Sequence, residues 1–150
     1  MKIIDLRILL VLVLFVTSCK KDPTVTPPAA GESTSLNFSA IINGATEVPA
    51  NASLAKGTGI ATFDKISKNL SLSVIYSGIT PRAMHIHKGA AGVNGPVIID
   101  LATTPIFPAQ VQLNQKLTIG QEDSLMRNLL YINIHSLAFP GGEIRGQLTR

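Results

Sequence analysis

The chain has 150 residues, with 13 basic and 9 acidic side chains, a formal net charge of +4 and 45% hydrophobic residues. That length allows one domain, and so mild a charge argues against a nucleic-acid surface: from Lys56 onward no basic run or aromatic interleaving tracks a phosphate backbone. Cys19 is the only cysteine, which excludes an internal disulfide and leaves the domain to be held by burial alone.

At the amino terminus Lys2 and Arg7 supply a positive region, Ile8 to Val16 is an unbroken apolar run, and Val16-Thr17-Ser18-Cys19 places small residues before a cysteine. Nine residues of helix reach only about 14 Å, against roughly 30 Å of hydrocarbon, so the run reads as an export signal and not a membrane span. Its ending resembles the lipobox of bacterial lipoproteins. The resemblance implies a signal peptide over residues 1–18, transfer of a diacylglycerol to the Cys19 thiol, cleavage just before it and acylation of the new amino group. The chain is therefore expected in the cell envelope, anchored to a membrane through lipidated Cys19, because two or more acyl chains hold a protein stably where one does not. Lys20 in place of an aspartate after the cysteine matches outer-membrane sorting as known for enteric lipoproteins. Residues 19–35, rich in Pro, Thr, Ser and Ala with little to bury, read as a disordered tether.

The domain is expected over residues 36–150. Leu36, Phe38, Ala40 and Ile42 alternate with Asn37, Ser39, Ile41 and Asn43, a period-two pattern for a half-buried first strand. Gly57 to Phe63 and Asn69 to Tyr76 flank Asp64-Lys-Ile-Ser-Lys-Asn69 and predict a hairpin. A strand bearing His85 and His87 follows Gly78-Ile-Thr-Pro81, then the loop Gly89 to Pro96 and the apolar run Val97 to Leu101. Ala109, Val111 and Leu113 predict a further strand. Thr118-Ile-Gly-Gln121 matches a capping box, and Leu125, Met126, Leu129 and Leu130 continue it at helical spacing. Tyr131 to Ser136 and Glu143 to Thr149 close the domain as two strands. Seven or so short strands with turn-rich links and one short helix predict an all-β, antiparallel sandwich or barrel. No glycine-rich phosphate loop precedes a helix, which disfavours a nucleotide fold.

These segments together resemble the chordin-type (CHRD) domain. The resemblance is carried by Phe38-Ser-Ala with Glu47-Val-Pro49, by Gly57-Thr-Gly-Ile-Ala61, by Met84-His-Ile-His-Lys-Gly89 with Asn94-Gly-Pro96, and by Tyr131-Ile-Asn-Ile-His135 with Pro140-Gly-Gly-Glu-Ile-Arg-Gly-Gln147. It implies an extracytoplasmic, immunoglobulin-like β-sandwich, in a family whose bacterial members have no agreed biochemical activity. Gly78-Ile-Thr-Pro81 leading into His85 and His87 is also similar to copper-zinc superoxide dismutases, but those enzymes need more histidines than the three present and an intrachain disulfide.

All three histidines lie in two predicted strands. His85 and His87 are two apart and share a face, roughly 6.6 Å apart along the backbone. If the second strand lies beside the first, His135 supplies a third nitrogen, and Glu143 or Asp100 stands as a fourth ligand or as a partner to a ligand. Three nitrogens suit zinc or copper. The alternative is that each imidazole bonds to backbone carbonyls, or to Asn133 and Glu143, and fixes loops at one end of the domain. A hydrolase or redox enzyme with one histidine as general base is a third and less favoured reading, because no Ser or Cys sits in a recognisable nucleophile setting. Glu143 and Arg145 share a strand face and read as an ion pair. Asn94-Gly-Pro96 and Pro140-Gly-Gly142 read as turns, and Glu47 as a surface or loop hydrogen-bonding group. The functional expectation is a lipid-anchored binding or structural module of the cell envelope, with a protein or small-molecule ligand that the sequence does not name. The second reading is an envelope copper- or zinc-binding protein using His85, His87 and His135.

Overall fold

Alternation of apolar and polar residues governs most of the domain, and a sheet is its consequence. The computed structural model describes residues 33–102 and 107–150. The expected signal peptide, Cys19 and the tether up to residue 32 lie outside them. In chain order the elements are β1 (Ser35–Asn43), β2 (Lys56–Asp64), β3 (Asn69–Ser77), β4 (Pro81–Lys88), β5 (Val97–Asp100), β6 (Gln110–Lys116), α1 (Ile119–Met126), β7 (Leu130–Ser136) and β8 (Ile144–Gln147). Every element read from the sequence is present, but the helix stops at Met126, so that Leu129 lies beyond it and Leu130 begins β7. The eight strands form one antiparallel sheet in the order β5-β4-β7-β8-β1-β2-β3-β6, curled into a half-barrel. Among the described residues no helix is long and apolar enough to cross a membrane.

The predicted hairpin holds over its full length, Lys56 pairing with Ser77 and Phe63 with Leu70. Lys68 closes its turn with a positive φ, while Asp64 Oδ1 accepts from the backbone of Ile66 and Ser67. In β1 to β3 the buried residues alternate strictly: Phe38, Ala40 and Ile42, then Ala61 and Phe63, then Leu70, Leu72, Val74 and Tyr76. They meet Met84 and Ile86 of β4, Ile132 and Ile134 of β7 and Ile144 of β8 in a single core. The helix begins as the capping box predicts. Thr118 Oγ1 accepts from Gln121 N–H while Gln121 Oε1 accepts from Thr118 N–H, and Leu125 points into the core.

The central strands depart from simple alternation, because both of their faces are buried. In β7 the core side carries Ile132 and Ile134, yet Tyr131 and Asn133 on the other side are 1% and 3% exposed. What covers that second face is not a further sheet but loops: residues 44–55, 89–96 and 137–142 supply its hydrogen-bond partners. Close approach is built in at Gly146 of β8, where a Cβ would lie 2.6 Å from the Ile41 carbonyl oxygen and 2.8 Å from Ile42 Cγ1.

Two substitutions test this arrangement. Gly146→Ala pushes a methyl group into neighbouring backbone and is expected to lower stability by roughly 1–3 kcal/mol, as overpacking does. Thr118→Ala removes the helix cap and is expected to cost about 1 kcal/mol. Both losses are measured as shifts in the urea midpoint of unfolding, and an unshifted midpoint for Gly146→Ala would mean that β1 and β8 are not packed as described.

Candidate metal centre

The polar side of β4, β7 and β8 is assembled by register. His85 lies opposite Asn133, His87 opposite Tyr131 and Ala83 opposite His135, so the three imidazoles share one face of two neighbouring strands. Asn133 in turn faces Arg145, and Tyr131 faces Gln147, across β7 and β8. Register shifts interrupt β4 between Ile86 and His87 against β5, and between Pro81 and Ala83 against β7. Such irregularities re-aim side chains and are common next to functional sites.

The rings converge. Each offers one nitrogen, and these nitrogens lie within 4.8 Å of one another. His85 Nδ1 is 3.2 Å from His135 Nε2. The ring centroids stand 5.6 Å apart for His85 and His87, 5.0 Å for His85 and His135, and 6.0 Å for His87 and His135. The outer nitrogens are engaged elsewhere: His87 Nδ1–H donates to the Gly95 carbonyl at 2.9 Å and His135 Nδ1–H to the Pro140 carbonyl at 3.0 Å, while His85 Nε2 stands 3.5 Å from Asp100 Oδ1. A carbonyl only accepts, so His87 and His135 carry their hydrogen on Nδ1 and present a lone pair at Nε2. His87 Nε2 is buried and has no hydrogen-bond partner among the described residues. Burial first, and then the neighbouring His87 ring, push His85 below the usual histidine value against the pull of Asp100. Burial lowers His135 too, with the Pro140 bond opposing and the other two rings adding. Neutral rings of this kind are what a metal requires.

Behind His87 stands a stack. The Tyr131 ring lies 4.9 Å from the His87 ring at 10° between planes, and the Arg145 guanidinium carbon sits 3.4 Å from the centre of the Tyr131 ring. Tyr131 Oη accepts from Gly95 N–H at 3.0 Å. Arg145 is 1% exposed and donates to the carbonyls of Ala90 and Val93, each at 3.0 Å, and to Asn94 Oδ1 at 3.3 Å. The loop that holds His87 is thus itself held by Arg145. A Cβ at Gly95 would overlap the Lys88 carbonyl, so no larger residue fits where the chain presents this oxygen. Asn94-Gly-Pro96 and Pro140-Gly-Gly142 therefore do more than turn the chain.

Of the two acids that the sequence offers, the structure brings one to the histidines. Asp100, paired with His85 across β4 and β5, is the carboxylate that meets a histidine. Glu143 is buried, but its Oε1 accepts from Ser53 Oγ at 2.7 Å, and it does not belong to the group of converging ligand atoms. The expected Glu143–Arg145 ion pair does not form among the described residues, because Arg145 turns to the 90–94 loop and Glu143 to Ser53. The part played by Tyr131 was missed, although Tyr131, Asn133 and His135 share a face by simple alternation. Glu47 is not a surface group: it is 6% exposed. Its Oε2 accepts from Val48 N–H, while its Oε1 and Asn133 Oδ1 are buried without partners among the described residues; a Cβ at Gly142 would stand 2.6 Å from Glu47 Oε1 and 2.6 and 2.7 Å from the Asn133 amide atoms Nδ2 and Oδ1.

Burial raises the Glu47 pKa above its ordinary 4.5, against a bond from Val48 and the attraction of Arg145. A carboxyl group that holds its proton more tightly when folded contributes stability in full below the unfolded value, and that contribution is lost as pH rises through the folded one. Glu47→Gln puts an N–H donor in place of the unpartnered Oε1, on the side where Asn133 Oδ1 lies, and carries no charge. It is expected to raise stability at pH 7 by on the order of 1 kcal/mol, with the difference from the parent shrinking as the pH falls toward 4.5, as thermal unfolding across that range will show.

Neither the curated proteins nor the solved structures contain a match to this chain. The family model of the CHRD domain matches residues 38–148, a span that begins in β1, ends just past β8 and takes in His85, His87, His135 and the loops that hold them. The chain belongs to the CHRD domain family.

Proposed function

We propose that this CHRD domain is a binding module of the cell envelope, tethered through lipidated Cys19, and that what it binds is a transition-metal ion held by His85, His87 and His135. Convergence of three ring nitrogens, with each ring's other nitrogen facing an acceptor, carries the reading. Two imidazole nitrogens on one tetrahedral ion, each about 2.0–2.1 Å from it, stand about 3.3 Å apart. The 3.2 Å between His85 Nδ1 and His135 Nε2 is that spacing. Three imidazoles without a thiolate suit zinc or copper(II), and three protein ligands leave a position for water or another group. The anchor and the envelope location rest on the lipobox resemblance alone.

The second reading is a structural or binding module without metal, in which the histidines pin loops. It is favoured by the bonds of His87 and His135 to backbone carbonyls. The same bonds orient a ligand ring toward an ion, so they serve both readings. What the second reading does not explain is the buried His87 Nε2, which hydrogen-bonds to nothing among the described residues.

The experiment is a metal titration of the full chain carrying Cys19→Ser, so that no thiol competes, read by elemental analysis after gel filtration. One zinc or copper ion per chain is expected, with occupancy lost in His87→Ala and in His135→Ala. Substoichiometric metal in the parent, or full occupancy in both variants, would leave the structural reading in its place. Incorporation of radiolabelled palmitate through Cys19 tests the anchor, and no label on the protein sinks it.

A further inference from the structure

We propose that Asp100 is a positioning residue that fixes His85 in the tautomer whose Nδ1 lone pair faces the ion, so that the centre uses one Nδ1 and two Nε2 donors. This inference rests on the metal-binding reading above and specifies how that same centre is built.

The three rings are not equivalent. His87 and His135 have their tautomers set by backbone carbonyls, those of Gly95 and Pro140, which accept from Nδ1–H and leave Nε2 as the donor atom toward a metal. His85 has no carbonyl partner among the described residues. Its two nitrogens face His135 Nε2 at 3.2 Å and Asp100 Oδ1 at 3.5 Å. Since His135 Nε2 carries no hydrogen, the 3.2 Å contact is a hydrogen bond only when His85 carries one on Nδ1. An ion at that position needs the opposite arrangement, with the lone pair on Nδ1 and the hydrogen on Nε2.

His85 is therefore the one of the three rings whose tautomer no backbone carbonyl sets, and holding an ion requires its hydrogen on Nε2. A ring that starts with its hydrogen on Nδ1 reaches that form by losing one N–H bond at Nδ1 and gaining one at Nε2, with no net proton leaving it. The carboxylate of Asp100 accepts from N–H and repels a lone pair, so it favours the loaded tautomer over the other. Its position is fixed by pairing, since Asp100 lies directly opposite His85 at the end of the four-residue edge strand β5. A carboxylate on the outer nitrogen of a ligating histidine also makes the ring a stronger donor, and removing such a partner typically costs 10- to 100-fold in metal affinity. Asp100 is largely exposed, with two-thirds of its side chain open to solvent, and is not part of the hydrophobic core cluster.

The test uses the full chain carrying Cys19→Ser and zinc as the probe. Affinity is measured by competition with a chromophoric chelator, and the state of the histidine nitrogens by ¹⁵N NMR of the zinc-loaded protein. Asp100→Ala is expected to weaken zinc binding 10- to 100-fold with the melting temperature of the zinc-free protein unchanged. Asp100→Asn, which keeps an acceptor oxygen without the charge, is expected to fall between. In the parent, His85 is expected to be metal-bound at Nδ1 and to carry hydrogen at Nε2. Zinc held as tightly by Asp100→Ala as by the parent overturns this inference alone, as does coordination of His85 through Nε2. A parent that binds no zinc overturns the metal reading itself.

Discussion

A buried guanidinium organises the polar half of this domain. Among the described residues Arg145 and Tyr131 head the large, fully buried side chains, and neither belongs to the hydrophobic core cluster. A charge taken out of water is costly unless every donor finds a partner, and stripping partners from such a group typically costs 3–5 kcal/mol. Arg145 has no ion pair among the described residues. It is satisfied by two carbonyls, an amide oxygen and the face of an aromatic ring. Those partners come from residues 90–94 and from Tyr131, so the loop between β4 and β5 is drawn down over the sheet. His87, stacked on the far side of Tyr131 and bonded to Gly95, is placed by the same constraint.

A sheet with two buried faces must solve two different problems. On the core side, Met84, Ile86, Ile132, Ile134 and Ile144 need only shape and volume. On the other, every polar atom shut off from water needs a partner, and the partners are carbonyls and amides of irregular backbone. Loop 44–55 is fastened by Asn51 to the Glu143 carbonyl and by Ser53 to the Glu143 side chain, and loop 137–142 by the Pro140 carbonyl to His135. His87 and His135, bonded to such a frame, have little freedom to turn. Loss of that freedom before any ligand arrives is what makes a preformed centre bind well.

The strands were legible because alternation survives wherever one face meets solvent. Phe38, Ala40 and Ile42, or Leu70, Leu72, Val74 and Tyr76, announce their burial at period two, and Thr118 with Gln121 announces the helix start. That His85 and His87 share a face also followed from spacing. The rest of the candidate centre could not be read this way. Its acceptors are backbone oxygens of Gly95 and Pro140, which leave no trace in residue type. Asp100 and Glu143 were both legible as candidate acids, but not which of them meets His85, because Glu143 turns to Ser53 instead. Arg145 looked like half of a surface ion pair, since nothing in Glu-Ile-Arg reveals that β8 sits between β7 and β1 under a loop.

The central claim is that this frame holds three imidazole nitrogens ready for one ion. X-ray absorption at the zinc edge of the zinc-loaded chain, with Cys19 replaced by serine, tests it most directly. The account predicts a first shell of nitrogen and oxygen near 2.0 Å with the multiple-scattering pattern of three imidazoles. A shell of oxygens alone, or one with fewer than two imidazoles, would contradict it.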